Sequence, residues 1–229
     1  MSTTHQTHTS HTTHTKKLKP KYKVLALTGP QGSGKTTQLK LILDKIDAEF
    51  ASVGDILRGI LPYSEKPEHQ EAREMMYSGK LIPDQVTFEI LKEYFAKKRE
   101  SGETKEVLIF DGFPRTAQQT EHLYELSRVY HGIDDASSTE LPAIAIVRMK
   151  LEHADAMQRC LDRAAALIKA GKEARIDDTP EAIAQRLGIY FDSIPHLNAA
   201  FEGKAHLHEF DGDKEIDEVH SAVLERLFE

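Results

Sequence analysis

One cysteine, Cys160, and no tryptophan occur in the 229 residues. A single thiol excludes an internal disulfide and a cysteine-built zinc site. No apolar run approaches the ~20 residues that a membrane-spanning helix needs. Positive charge is also scarce: 30 Lys and Arg stand against 37 Asp and Glu, a formal net charge of -7. A domain that grips nucleic acid along its surface would be basic, so neither nucleic acid nor membrane is expected as a partner. The start of the chain has no apolar secretory core, and with disulfides excluded the expected setting is a reducing cytoplasm.

Apolar residues are missing altogether between Met1 and Leu18 in "MSTTHQTHTSHTTHTKKLK". Residues 1–19 therefore read as a separate His/Thr-rich tail, expected to be disordered because it has nothing to bury. His5, His8, His11 and His14 recur every third residue. Such a tract can bind metal. Without an acidic or cysteine ligand to fix a geometry, a solvated low-complexity tail is the preferred reading. The tail has no arginine, which argues against a transit peptide.

From residue 20 onward the composition is that of a globular protein. With 39% hydrophobic and 29% charged residues overall, the chain can bury a sizeable core as one domain with at most small insertions. "KVLALT" is a short apolar run that reads as a buried strand. It ends on "GPQGSGKT" (29–36), which fits G-x-x-x-x-G-K-[ST] without a gap. Leu39, Ile42, Leu43 and Ile46 then fall at i, i+3, i+4 and i+7, a helix face expected to run through Ile46. Strand, glycine loop and helix in that order mark a phosphate-binding loop. The glycines let successive N–H groups approach phosphate oxygens, and the helix N-terminus adds a positive field. Lys35 is placed to reach the β- and γ-phosphates, and Thr36 to offer its hydroxyl to Mg²⁺.

"VLIFD" (107–111) is a second buried strand, and its terminal Asp111 is where a metal-associated carboxylate of such a fold would stand. "AIAIV" (143–147), "HLHEF" (206–210) and "EFAS" (49–52) are further strand candidates, with helical stretches between them. The chain thus reads as α/β, with a mostly parallel five-stranded sheet and helices on both faces. Ligands of such sheets sit at the carboxyl ends of the strands. Three islands follow expected strands or helices: "SVGDILRG" (52–59), "GKLIPD" (79–84) and "DGFPRTAQQ" (111–119). Arg58 and Arg115 lie in two of them, and arginine is the natural bidentate partner of phosphate.

These motifs together resemble the adenylate kinases, nucleoside monophosphate kinases of the P-loop class. The resemblance runs from Val24 nearly to the C-terminus. It is carried by "GPQGSGKTTQ", "SVGDILR", "DGFPRTAQQ", the arginine pair of "RCLDR" (159–163), "RIDD" (175–178) with Arg186, and the late turn "FDGDK" (210–214). It implies a sheet-bearing core (20–229), an AMP-binding insertion over 53–80 and a short lid over 163–175. It further implies that Gly32, Ser33, Gly34, Lys35, Thr36 and Thr37 hold ATP phosphates, that Arg159 and Arg163 close over ATP, and that Lys214 lies by the adenine. Val53, Lys80, Leu81, Ile82 and Gln119 would line the AMP nucleoside pocket beside Gly112 and Phe113. Arg58, Arg115, Arg175 and Arg186 would face the AMP phosphate or the transferring group. Lys35, Arg115, Arg163, Arg175 and Arg186 are the implied catalytic charges. Mg²⁺ is the implied cofactor, near Thr36 and Asp111 and reached through water. ATP and AMP are the implied partners of a monomer.

Some positions depart from the family pattern. Thr36 replaces the glycine usual after the lysine, Gln31 stands where proline is common, and Val53 replaces a threonine beside the AMP base. The eleven lid residues between Arg163 and Arg175 contain no cysteine or histidine, so no structural zinc is expected. Val53 leans towards a UMP/CMP kinase, whereas Thr116 and Gln119 lean towards AMP. A non-catalytic nucleotide scaffold is the reading from another class, and the set of basic residues speaks against it. Two features near the lid have plainer readings. Arg159 could pair with Asp155 one helical turn earlier as a surface salt bridge, and Cys160 reads as a packing residue.

Overall fold

In the computed structural model the described residues are 18–133, 142–171 and 179–229. Five strands form one parallel sheet: β1 (Val24–Thr28), β2 (Ala48–Ser52), β3 (Val107–Asp111), β4 (Ile144–Lys150) and β5 (His206–Asp211), in the order β2-β3-β1-β4-β5. Among the described residues eight α-helices accompany them: α1 (Lys35–Leu43), α2 (Val53–Ile60), α3 (Pro67–Tyr77), α4 (Asp84–Glu100), α5 (Ala117–His131), α6 (His153–Lys169), α7 (Pro180–Phe201) and α8 (Ile216–Leu227).

Side chains alternate across a strand, and the two faces of this sheet build two cores. Val24, Ala26, Leu108, Phe110, Ile144 and Ile146 point to one side, where residues of α2–α5 and α7 pack on them. Leu25, Leu27, Val107, Ile109, Ala145, Val147 and Met149 point to the other, against α1 and α8. Being covered on both faces is why β1 and most of β3 are continuous apolar runs. β5 is an edge strand, mostly exposed, and only Phe210 is buried. That explains its mixed sequence, since polar edges resist further strand pairing.

Two expectations are corrected at element ends. α1 stops at Leu43 rather than running through Ile46. The chain must turn within residues 44–47 to start β2, and Ile46 is still buried, its N–H bonded to Ile42 O at 3.1 Å. Conversely, β4 runs beyond Val147 through Arg148 and Lys150. Arg148 is buried because Asn198 Oδ1 at 2.6 Å, Glu209 at 3.3 Å and the Phe201 ring surround its guanidinium. None of the three partners is near in sequence, so the strand end could not be read from the local pattern.

The region expected as an AMP-binding insertion consists of α2, a single 3-10 turn (Leu61–Tyr63) and α3. The region expected as a lid begins inside α6, which continues past Arg163 to Lys169. Residues 172–175 of that region, Arg175 among them, lie outside the described residues, as does the tail up to residue 17.

Candidate active site

The loop between β1 and α1 is built by close approach. Gly29 has φ 143°, and a Cβ there would stand 2.5 Å from Met149 O. Only glycine fits that space. Gly212, after β5, is held as tightly: a Cβ would meet Ser33 O at 2.6 Å and Lys150 O at 2.8 Å. The phosphate loop therefore leans on β4 and on the turn after β5. Ser33 is fully buried beneath it.

Lys35 opens α1, and its ammonium lies inside this loop. Nζ donates to Gly29 O (2.8 Å), Pro30 O (2.7 Å) and Ser33 Oγ (3.4 Å). Burial lowers its pKa to about 8. The Asp111 carboxylate opposes that shift, and the Arg115 guanidinium adds to it. Asp111 ends β3 in register with Leu27 of β1. The loop lysine and the carboxylate thus share the carboxyl edge of the sheet, as the topology of α/β sheets requires of a ligand site.

A cleft of about 630 Å³ opens over this edge. It brings together Gly32, Gly34, Lys35, Thr36 and Thr37 from the loop, and Val53, Arg58, Lys80, Leu81 and Ile82 from the α2–α3 region. Asp111, Gly112, Phe113, Arg115 and Gln119 also line it, with Arg159, Arg163 and Arg186 from α6 and α7. Two expected residues are not among the lining. The Ser33 side chain faces into the loop, and Lys214 is exposed and pairs with Glu218. The lining carries eight cations (Lys35, Lys40, Arg58, Lys80, Arg115, Arg159, Arg163, Arg186) against two acids, Asp55 and Asp111. In a chain of net charge -7, that local reversal of sign is a site for a polyanion.

Several of the expected residues already have protein partners. Arg159 donates to Gly212 O (2.8 Å) and pairs with Asp213 (2.7 Å), not with Asp155. It therefore crosses to the turn after β5 instead of decorating one helix face. Arg58 pairs with Asp55 on α2. Arg115 Nε donates to Gly112 O at 2.7 Å. Cys160 is buried beside Gly32, in a small core with Ala156, Ile183 and Leu187.

A sequence model of the adenylate kinase family matches residues 27–205. The chain belongs to the adenylate kinase family. Its relatives include proteins named adenylate kinase from Methylobacterium radiotolerans (34% identical, covering 88% of this chain and 95% of the relative), Cyanothece sp. (30%, 87% and 92%) and Bifidobacterium longum (31%, 89% and 98%). As a member of the adenylate kinase family the chain is a nucleotide kinase, an enzyme of phosphoryl transfer.

Membership in this family implies Mg²⁺ delivered with the nucleotide. The residues fit such an ion. Thr36 and Asp111 both line the cleft beside the phosphate loop, and Mg²⁺ typically takes one or two protein oxygens and fills its shell with phosphate and water. Among the described residues no group of three His, Cys, Asp or Glu side chains converges to hold a metal without a nucleotide. No helix among them is long and apolar enough to cross a membrane.

Sequence reasoning missed two residues of this region. Tyr190, on α7, lines the cleft; a tyrosine in an amphipathic helix gives no local signal. Asp84 lies just behind the cleft wall, where Oδ2 accepts from Thr116 Oγ1 (2.6 Å) and Oδ1 from Gln119 Nε2 (2.7 Å). Its signal was its place at the end of the island "GKLIPD".

Proposed function

We propose that the chain catalyses the reversible transfer of the γ-phosphoryl group of Mg-ATP to AMP, giving two ADP. The observation that carries this reading is the cleft itself, which gathers eight cations, a phosphate loop and the Gln119 amide in one lining. Phosphoryl transfer spreads negative charge over oxygens in a loose transition state, so catalysis is mainly alignment and fixed positive charge. Lys35 leaves its loop carbonyls to meet the β- and γ-phosphates. Arg58 and Arg115 hold the acceptor phosphate, and Arg163 and Arg186 bear on the transferring group. Arg175 takes the same role from the lid region. Mg²⁺, when bound with ATP near Thr36 and Asp111, neutralises charge on the phosphate oxygens. Arg159 exchanges Asp213 for the nucleotide as α6 closes, and closure keeps water from intercepting the phosphoryl group.

The acceptor base meets Gln119 and Val53. Val53 is buried at the start of α2, within the apolar core, and its side chain offers no hydrogen bond. This one position favours a pyrimidine acceptor as the second reading. A coupled assay with saturating Mg-ATP and AMP, CMP, UMP or GMP tests the assignment. AMP should give the highest kcat/KM, with selectivity over CMP and UMP looser than a threonine at position 53 would give. A higher kcat/KM with CMP or UMP overturns the adenylate reading in favour of the pyrimidine one.

A further inference from the structure

Asp84 is absent from the cleft lining, yet it reaches the one side chain placed to read the acceptor base. A carboxylate only accepts hydrogen bonds. Both of its oxygens are in use: Oδ2 takes the Thr116 hydroxyl proton at 2.6 Å, and Oδ1 takes an Nε2 proton of Gln119 at 2.7 Å. The Thr116 oxygen in turn accepts from Gln119 N at 3.0 Å in capping α5. At the opposite end of the same amide, Gln119 Oε1 accepts the Arg115 backbone N–H at 2.8 Å. Gln119 is buried, with 3% of its surface exposed.

The two constraints agree. If the amide turned over, Oε1 would face a carboxylate and Nε2 would face a backbone N–H. Each would be a buried mismatch of like groups. An amide has two N–H protons and two acceptor directions. Asp84 and Arg115 take one of each, so one donor and one acceptor remain, in a fixed order.

We propose that Asp84 is a specificity-determining positioning residue: by locking the orientation of the Gln119 amide, it makes the site select adenine over guanine. The inference rests on the reading of AMP as acceptor. Adenine presents an acceptor at N1 beside a donor at N6. Guanine presents the reverse, a donor at N1 beside an acceptor at O6. A freely turning amide satisfies either purine, whereas a locked amide satisfies one order and leaves the other with facing donors and facing acceptors. Sites that hydrogen-bond a substrate discriminate most when the wrong partner leaves buried groups unmet. The lock is held by the Asp84 carboxylate at the start of α4 and by the Arg115 backbone N–H, so it does not depend on the substrate to form.

Asp84→Ala is the test, because it removes both acceptor oxygens. Gln119 Nε2 then loses its carboxylate partner, so the amide turns or loosens. The expected result is a fall in AMP kcat/KM of about tenfold, with the AMP-to-GMP ratio of kcat/KM reduced by about tenfold or more, chiefly through KM. If AMP and GMP fall by the same factor, Asp84 is merely structural and the proposal is overturned. Thr116→Val, which removes the neighbouring bond to Asp84 but leaves Gln119 its carboxylate, should keep the AMP-to-GMP ratio. A collapsed ratio there counts against the amide lock.

Should Asp84→Ala fail to fold, the side-chain ¹⁵NH₂ resonances of Gln119 in the native enzyme decide. They should be resolved and slow to exchange with water, unlike those of exposed Gln85. Exchange as fast as that of Gln85 overturns the lock. A native enzyme that prefers pyrimidines refutes the adenylate reading, whereas unchanged purine selectivity in the variant refutes only the lock.

Discussion

Lys35 should take up a proton when ATP binds. In the free enzyme its ammonium is buried among loop carbonyls, and its pKa is lowered from 10.5 to about 8. A bound triphosphate places several negative charges against Nζ, which restores the ordinary value or raises it further. At pH 9 most free enzyme then carries a neutral Lys35, and binding takes up about 0.9 proton, against about 0.1 at pH 7. Restoring the full shift of roughly 2.5 units is worth about 3 kcal/mol, or roughly 300-fold in affinity between pH below 8 and pH above 10.5. The assay is calorimetric titration of ATP in EDTA, which prevents turnover, at pH 7 and pH 9 in buffers of different ionisation enthalpy. Lys35→Met should abolish the extra uptake and, in the coupled assay, cut turnover by about 10²-fold or more. Equal uptake at pH 9 in the native enzyme and in Lys35→Met would refute the buried-ammonium reasoning.

The same depressed pKa predicts a pH dependence of folding. Between pH 8 and 10.5 the unfolded chain binds more protons at Lys35 than the native one, so stability rises with pH across that window, by up to about 3 kcal/mol relative to Lys35→Met in urea unfolding; parallel curves for the two proteins would exclude it. Gly212→Ala would drive a methyl to 2.6 Å from Ser33 O and 2.8 Å from Lys150 O. Both obstacles are backbone, so the phosphate loop must shift, and a loss of about 1–3 kcal/mol with a raised KM for ATP is expected. Native stability and KM in that variant would show that the turn does not brace the loop. Phe95 is fully buried and meets the Phe110 and Tyr130 rings edge-on at 5.5 and 5.6 Å; Phe95→Ala should cost about 3–5 kcal/mol in chemical denaturation, and a loss under 1 kcal/mol would contradict that packing.

Much of this protein was legible in the sequence because the signals are local. Strands buried on both faces must be apolar throughout, so "VLALT" and "VLIFD" declared themselves. "GPQGSGKT" carries its chemistry in consecutive residues. The motifs "DGFPRTAQQ" and "SVGDILR" pointed to cleft-lining residues because each follows a strand of the sheet, and a parallel sheet gathers such ends at one edge. What the sequence left open depends on partners far along the chain. The strand was expected to end at Val147, and Asn198 and Glu209 keep Arg148 inside it. Arg159 had a suitable acid one turn away in Asp155, and it pairs instead with Asp213, brought near by the turn after β5. Lys214, in the same turn, pairs with Glu218 of the following helix α8 rather than lining the cleft. The lowered pKa of Lys35 could not be read from the motif either, because burial is a property of the assembled loop. Which way the Gln119 amide faces was likewise decided only when α4 brought Asp84 against the start of α5. Local chemistry fixes which groups are present, whereas hydrogen-bond roles and proton affinities follow from what the folded chain packs around them.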